Sequence, residues 1–153
     1  MWVPPETADP VLFHAPTRKS VAVFGAVCPE DGRLVTLQEK TFNAESFQMF
    51  LHMLLRHARP GRKIMLIADN ARWHHAAVLK PWLCRHRHRL RLDFLPPYSP
   101  DFNPIERVWK LTRRLCTHNK YFPALEDLIA AVSERFDMWR KPNSVLHQLC
   151  AII

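Results

Sequence analysis

Asp69 and Glu106 are the residues from which a reaction is most easily built. Asp69 follows a short apolar run, residues 63–68, where a strand would end and a loop begin. Glu106 lies three residues after Asn103 in a helix-start signal: Asn103 suits the N-cap, Pro104 the first helical position and Glu106 the third. In open α/β sheets, sites form beyond the carboxyl ends of the strands, so these two carboxylates can meet there. Carboxylate oxygens are hard donors that suit Mg2+ or Mn2+. Two such ions about 3.5–4 Å apart activate a water or hydroxyl and stabilise the leaving oxygen in an in-line phosphodiester displacement. Each residue also has a plain structural reading. Glu106 fits a capping-box glutamate, and Asp69 a strand-end aspartate that caps the next helix. Local pattern leaves both readings open.

Placing Glu106 falls to the stretch 95–109, Leu-Pro-Pro-Tyr-Ser-Pro-Asp-Phe-Asn-Pro-Ile-Glu-Arg-Val-Trp. Pro96, Pro97, Pro100 and Pro104 each fix φ and push the preceding residue towards extended geometry, so the backbone enters the helix with little freedom. Asp101, after Ser99-Pro100, reads as a turn former. Upstream, residues 1–18 hold four prolines and read as an extended lead-in. Residues 20–28 are a continuous apolar, β-branched run, 29–32 a turn and 33–42 a more polar strand. Together they predict a hairpin whose first strand is the more buried. Asn43 caps a helix with Phe47, Phe50, Leu51, Leu54 and Leu55 on one face, ended by Pro60-Gly61. Residues 63–68 suit a buried parallel strand, 72–86 a helix kinked or restarted at Pro81, and 89–95 a half-exposed strand. After Asn103 a helix buries Ile105, Val108, Trp109, Thr112 and Cys116. Leu125, Leu128, Ile129, Val132, Phe136 and Trp139 mark another, and residues 143–150 a short last one. The order predicts one α/β domain with a mixed sheet: a catalytic unit over 19–140 and a tail or short helix over 141–153.

Composition narrows the chemistry. The three glycines stand apart, so neither a P-loop nor a dinucleotide-binding cradle exists. The formal net charge of +8, from 22 Lys+Arg and 14 Asp+Glu, favours a polyanionic partner, with nucleic acid first. Arg85, Arg87 and Arg89 lie in one basic run, and Arg107, Lys110, Arg113 and Arg114 along one helix; both read as phosphate-contact patches or as solvated faces. Cys28, Cys84, Cys116 and Cys150 are widely spaced and the histidines match no zinc pattern, so thiols in a reducing compartment are expected. With no signal sequence and no apolar stretch of spanning length, a cytoplasmic, nucleoid-associated protein without a membrane partner is expected.

Asp69-Asn70 followed by His74, and then the 95–109 block, resemble the catalytic domain of DDE transposases of the mariner-like superfamily, in its bacterial insertion-sequence branch. The likeness runs from about Trp2 to Trp139, and the 36 residues between Asp69 and Glu106 are similar to the family's separation of its second and third acidic residues. The resemblance implies a ribonuclease-H-like fold and Mg2+- or Mn2+-dependent DNA cleavage and strand transfer. Asp69 and Glu106 would be metal-binding catalytic carboxylates, supported by Asn70, His74 and Asn103.

The same resemblance places the family's first aspartate on the domain's first strand, just upstream of a motif that Trp2-Val3-Pro4 looks like. The expectation is therefore a chain that begins after its first catalytic residue, with Asp9 and Asp31 poor substitutes. Such a chain is inactive alone, whether a remnant or one part of a split reading frame completed by a second polypeptide; a homodimer is a separate expectation. A non-catalytic DNA-binding or interaction module is the alternative, and a free-standing nuclease with an unexpected third ligand a further one. The lost strand would lie in mid-sheet and leave backbone groups unpaired, each costing about 1–3 kcal/mol if buried.

Overall fold

Three asparagines set where the main helices begin. The computed structural model describes residues 20–97 and 102–151. Helix α1, Ala44–Leu55, starts at Asn43, whose Oδ1 accepts from Ser46 N at 2.8 Å while Ser46 Oγ accepts from Asn43 N at 3.1 Å. Asn103 caps α3, Pro104–Thr112, and Asn143 caps α5, Ser144–Cys150, each through its side-chain oxygen. Strands β1, Ala22–Val27, and β2, Leu34–Glu39, form the expected antiparallel hairpin, and β3, Ile64–Ala68, pairs parallel with β4, Leu90–Phe94. α4 runs Leu125–Trp139.

Strand pairing is antiparallel in the hairpin and parallel in the second pair, the mix the sequence predicts. Among the described residues there is no single mixed sheet but two separate two-stranded sheets, β1–β2 and β3–β4. Ladder alternation shows which edges stay open. Cys28 N donates to Arg33 O at 2.8 Å, in register with the hairpin, so Ala22, Phe24 and Ala26 bond to β2, whereas Val23, Gly25 and Val27 turn their N–H and C=O outward. Ile64 N donates to Arg89 O and Leu95 N to Ala68 O, both at 2.9 Å; Met65 and Ile67 therefore present their backbone groups away from β4.

Two hydrophobic cores lie on opposite faces. One gathers Phe24 and Val35 of the hairpin, Leu90 of β4 and the α1 stripe Phe47, Phe50, Leu51, Leu54 and Leu55, so α1 spans both sheets. The other joins Leu34 to Val108, Phe136, Trp139, Leu146 and Cys150 from α3, α4 and α5. The hairpin turn is tied to α5: Asn143 N donates to Asp31 O at 2.9 Å and Asn143 Nδ2 to Gly32 O at 2.7 Å, with Gly32 at φ +72°.

Three sequence expectations need correction. β3 is not a buried strand: Met65 is 60% and Ile67 53% exposed, because among the described residues nothing covers one face and one edge. β1 is no more buried than β2, each having two buried residues, since among the described residues β1 pairs on one edge only and lines the cavity. Residues 72–86 are not one helix but 3-10 turns at Arg72–His75 and Ala77–Leu79, then α2, Lys80–Arg85. Side-chain bonds from the end of β3 hold the first turn tight, and Pro81 restarts the chain at the beginning of α2. The lead-in at 1–18, the Trp2-Val3-Pro4 motif, Asp9, and residues 98–101 with Asp101 lie outside the described residues.

Candidate active site

A cavity of about 380 Å3 opens between β1, β3 and the start of α3. Asp69, His74, Asn103 and Glu106 all line it, with Val23–Val27 of β1 and Met65–Ala68 of β3. The two predicted carboxylates therefore share one space.

Asp69 is delivered by the end of β3. Its Oδ1 accepts from Ala71 N at 3.2 Å, a local turn that caps no helix. His74 Nδ1 lies 3.0 Å from both the carbonyl and the carboxylate of Asp69. Both partners are acceptors, so Nδ1 carries the proton and the imidazole orients the carboxylate. The His74 ring is itself pinned against Phe47, centroids 4.2 Å apart, with only 11% of its side chain exposed against 59% for Asp69. Asn70 stands outside the cavity wall but braces it: Nδ2 donates to Leu95 O at 2.7 Å, and Oδ1 is 3.1 Å from His75 Nε2. This bond joins the C-terminal ends of β3 and β4.

Glu106 is delivered by α3. Asn103 Oδ1 accepts from Ile105 N at 3.4 Å, and no reciprocal bond from Glu106 makes a capping box of the kind α1 has. The half-buried Glu106 side chain faces the cavity with Ile105 and Trp109 beside it. The aromatic wall opposite was not foreseen: Phe24, Phe42, Phe47 and Trp73, with Phe42 and Trp73 stacked at 5.3 Å and 9°. Its sequence signals were the lack of alternation in residues 20–28, which hold Phe24, and the apolar helix face that includes Phe47.

Two carboxylates in one cavity, one of them held by an imidazole, supply the hard oxygen donors that a divalent ion takes. No group of three or more Asp, Glu, His or Cys assembles among the described residues. Asp31 lies away from the cavity, ion-paired with Arg33 at 2.6 Å and Arg59 at 3.5 Å. Burial alone would raise its carboxyl, but bonds from the Arg33 side chain and backbone, with Cys28, hold it below the usual carboxylate value. All seven predicted basic residues, Arg85, Arg87, Arg89, Arg107, Lys110, Arg113 and Arg114, are exposed, but two of them are also bonded to backbone. The Arg89 guanidinium bonds Leu55 O at 2.9 Å, and Arg107 bonds Leu149 O at 3.1 Å and Ala151 O at 3.4 Å, the end of α5.

A family model described as DDE superfamily endonuclease matches residues 1–129. The uncharacterized protein y4pE/y4sA of Sinorhizobium fredii is 35% identical over 107 residues, 70% of this chain and 76% of that protein. An uncharacterized 39 kDa protein of insertion element IS630 from Shigella sonnei is 29% identical over 93 residues, 59% of this chain but 27% of its own length. Among solved structures, the Mos1 strand transfer complex superposes with a TM-score of 0.65 at 20% identity, covering 98% of this chain and 44% of that one. The Mos1 transposase catalytic domain with raltegravir and Mg gives 0.62 at 20% identity over 85% of this chain and 68% of that one. The fold is that of ribonuclease-H-like transposase catalytic domains. The chain spans about three quarters of the first relative, and under half of the Mos1 chain in the strand transfer complex. No helix among the described residues is long and apolar enough to cross a membrane.

Proposed function

This chain belongs to the DDE superfamily endonucleases, and from that membership we propose that it is the catalytic-domain portion of a DNA transposase. The observation carrying this reading is that Asp69 and Glu106, with 36 residues between them in sequence, line one cavity at the end of a parallel strand. Their carboxylates would hold Mg2+ or Mn2+, as the Mos1 catalytic domain was solved with Mg. When bound, the ions supply water or hydroxyl activation and leaving-oxygen stabilisation at a phosphodiester. His74 fixes the Asp69 carboxylate, Asn103 starts the helix that presents Glu106, and Asn70 holds the ends of β3 and β4 together. Arg85 and Arg87 on one side, and Lys110, Arg113 and Arg114 on the other, take the DNA phosphates.

A third carboxylate completes the family's site and is supplied from outside the described residues. Without it the chain cleaves DNA poorly or not at all, since positioning accounts for much of such catalysis. Calorimetric Mn2+ titration of the chain tests the pair: binding lost in both Asp69→Asn and Glu106→Gln is the expected result. Equal binding in either variant, or plasmid nicking that survives both substitutions, overturns the assignment.

A second reading is favoured by one observation: the exposed basic residues do not depend on the carboxylates for their placement. The chain then serves as a DNA-binding module without the chemistry. It predicts salt-dependent DNA affinity unchanged in Asp69→Ala, and no affinity near physiological salt sinks it.

A further inference from the structure

We infer that His75 is a positioning residue of this site, setting the separation of Asp69 and Glu106 through Asn70 and Leu95. The inference deepens the proposed function and rests on it for the metal-binding role of the two carboxylates.

The carboxylates come from elements far apart in the chain, the end of β3 and the start of α3. What ties these elements is Leu95, the first residue of the proline-rich stretch that leads to Glu106. Leu95 N donates to Ala68 O at 2.9 Å, and Leu95 O accepts from Asn70 Nδ2 at 2.7 Å. The two residues flanking Asp69 therefore hold both polar backbone groups of Leu95. Beyond it, Pro96, Pro97, Pro100 and Pro104 restrict the backbone, so a shift of Leu95 is passed on towards α3 instead of being absorbed.

One half of this tie is a backbone bond within the sheet, and the other is a side chain that must itself be held. The Leu95 carbonyl only accepts, so the Asn70 amide nitrogen faces it and Oδ1 faces His75. His75 Nε2, 3.1 Å from that oxygen, must then carry the proton. The imidazole is set in turn by stacking on Phe94, with centroids 4.1 Å and planes 29° apart. Phe94 is the last residue of β4 and precedes Leu95, so the contacts Phe94–His75–Asn70–Leu95 close on themselves. The tandem histidines of the 3-10 turn thus serve neighbouring residues from opposite ring nitrogens. His74 offers Nδ1–H to Asp69, and His75 offers Nε2–H to Asn70. One orients a carboxylate; the other fixes how far that carboxylate lies from its partner.

The test uses the full chain and variants that separate the ring from the donor. His75→Phe keeps a ring to stack on Phe94 but has no N–H, whereas His75→Gln gives up the ring and offers a terminal amide N–H to Asn70. Mn2+ affinity is measured by calorimetry, stability by urea melts, and exchange of the Asn70 side-chain amide protons by NMR on metal-free samples. The expected result for His75→Phe is Mn2+ binding about tenfold weaker and Asn70 amide exchange about tenfold faster, at an unchanged urea midpoint. His75→Gln recovers both, and adding His75→Phe to Asn70→Ala weakens Mn2+ binding no further than Asn70→Ala does alone. Nitrogen chemical shifts of the unsubstituted chain place the His75 proton on Nε2. Unchanged affinity and exchange in His75→Phe, no recovery in His75→Gln, additive losses in the double variant, or a fall in urea midpoint that accounts for the weaker binding overturns the assignment. Equal Mn2+ binding by the unsubstituted chain and Asp69→Asn removes the proposed function instead, and the hold of His75 on Asn70 then stands or falls on the amide exchange alone.

Discussion

The indole of Trp109 rests on Gly25, and no room remains between them for a β-carbon. Ile105 approaches the same glycine, so the helix carrying Glu106 is seated on β1 through a residue that must lack a side chain. Gly25→Ala pushes Trp109 away or tilts α3. The expected cost is about 1–3 kcal/mol, as for overpacking elsewhere, read as a lower urea midpoint with unchanged slope. Mn2+ affinity falls with it, because Glu106 moves with the helix.

His74 touches Asp69 and Phe47 but takes no part in the proposed chemistry itself. His74→Ala frees the Asp69 carboxylate to rotate and is expected to weaken Mn2+ binding about 10–100-fold. Asp69→Asn, at a carboxylate 59% exposed, leaves the urea midpoint nearly where it was, which separates ligand loss from unfolding.

Asp31 gives the fold an acid-sensitive point. Its carboxyl is held below the ordinary carboxylate value because the Arg33 bonds, with Cys28, outweigh the opposing effect of burial. The folded state therefore releases that proton more readily than the unfolded chain does. The stability it contributes is complete above the unfolded carboxylate value, near 4, and is lost as pH falls through the lower folded value. Asp31→Asn removes this contribution at neutral pH and flattens the acid limb of a stability-against-pH curve. An unchanged limb in the variant contradicts the assignment.

The basic residues separate into two kinds. Arg113 and Arg114 are exposed, and each Ala substitution is expected to weaken DNA binding evenly across sequences and lower the salt slope by about 1. Arg107 bonds the carbonyls of Leu149 and Ala151 at the end of α5, so Arg107→Ala shows first as a drop of about 1 kcal/mol in stability. Filter-binding isotherms at several salt concentrations, beside urea melts, distinguish the two.

Helix starts were legible because each depends on a few adjacent residues. Asn43 and Asn103 accept the backbone bonds their positions predicted, and Asn143, expected only as the first residue of a short helix, caps that helix instead. The shared cavity of Asp69 and Glu106 was legible for a related reason: a strand end and a helix start both place side chains by local rules. The exposure of Met65 and Ile67 was not, since an apolar run reports the environment a strand suits, while burial depends on what lies beside it. The 3-10 turn at Arg72–His75 was hidden too. It is drawn tight by bonds from His74 and His75 back to Asp69 and Asn70, which helical periodicity does not encode. The π-helical turn Arg113–Thr117 at the end of α3 carries no breaker residue that could have announced it.

The bridging position of α1 bears on how the domain melts. Among the described residues no hydrogen-bonded ladder crosses from β1–β2 to β3–β4, so the two layers communicate through side chains, chiefly those of α1 with the Phe42–Trp73 stack. Heating then loosens β3 and β4 before the layer built on α3, α4 and α5, and the calorimetric enthalpy of unfolding exceeds the van't Hoff value instead of matching it.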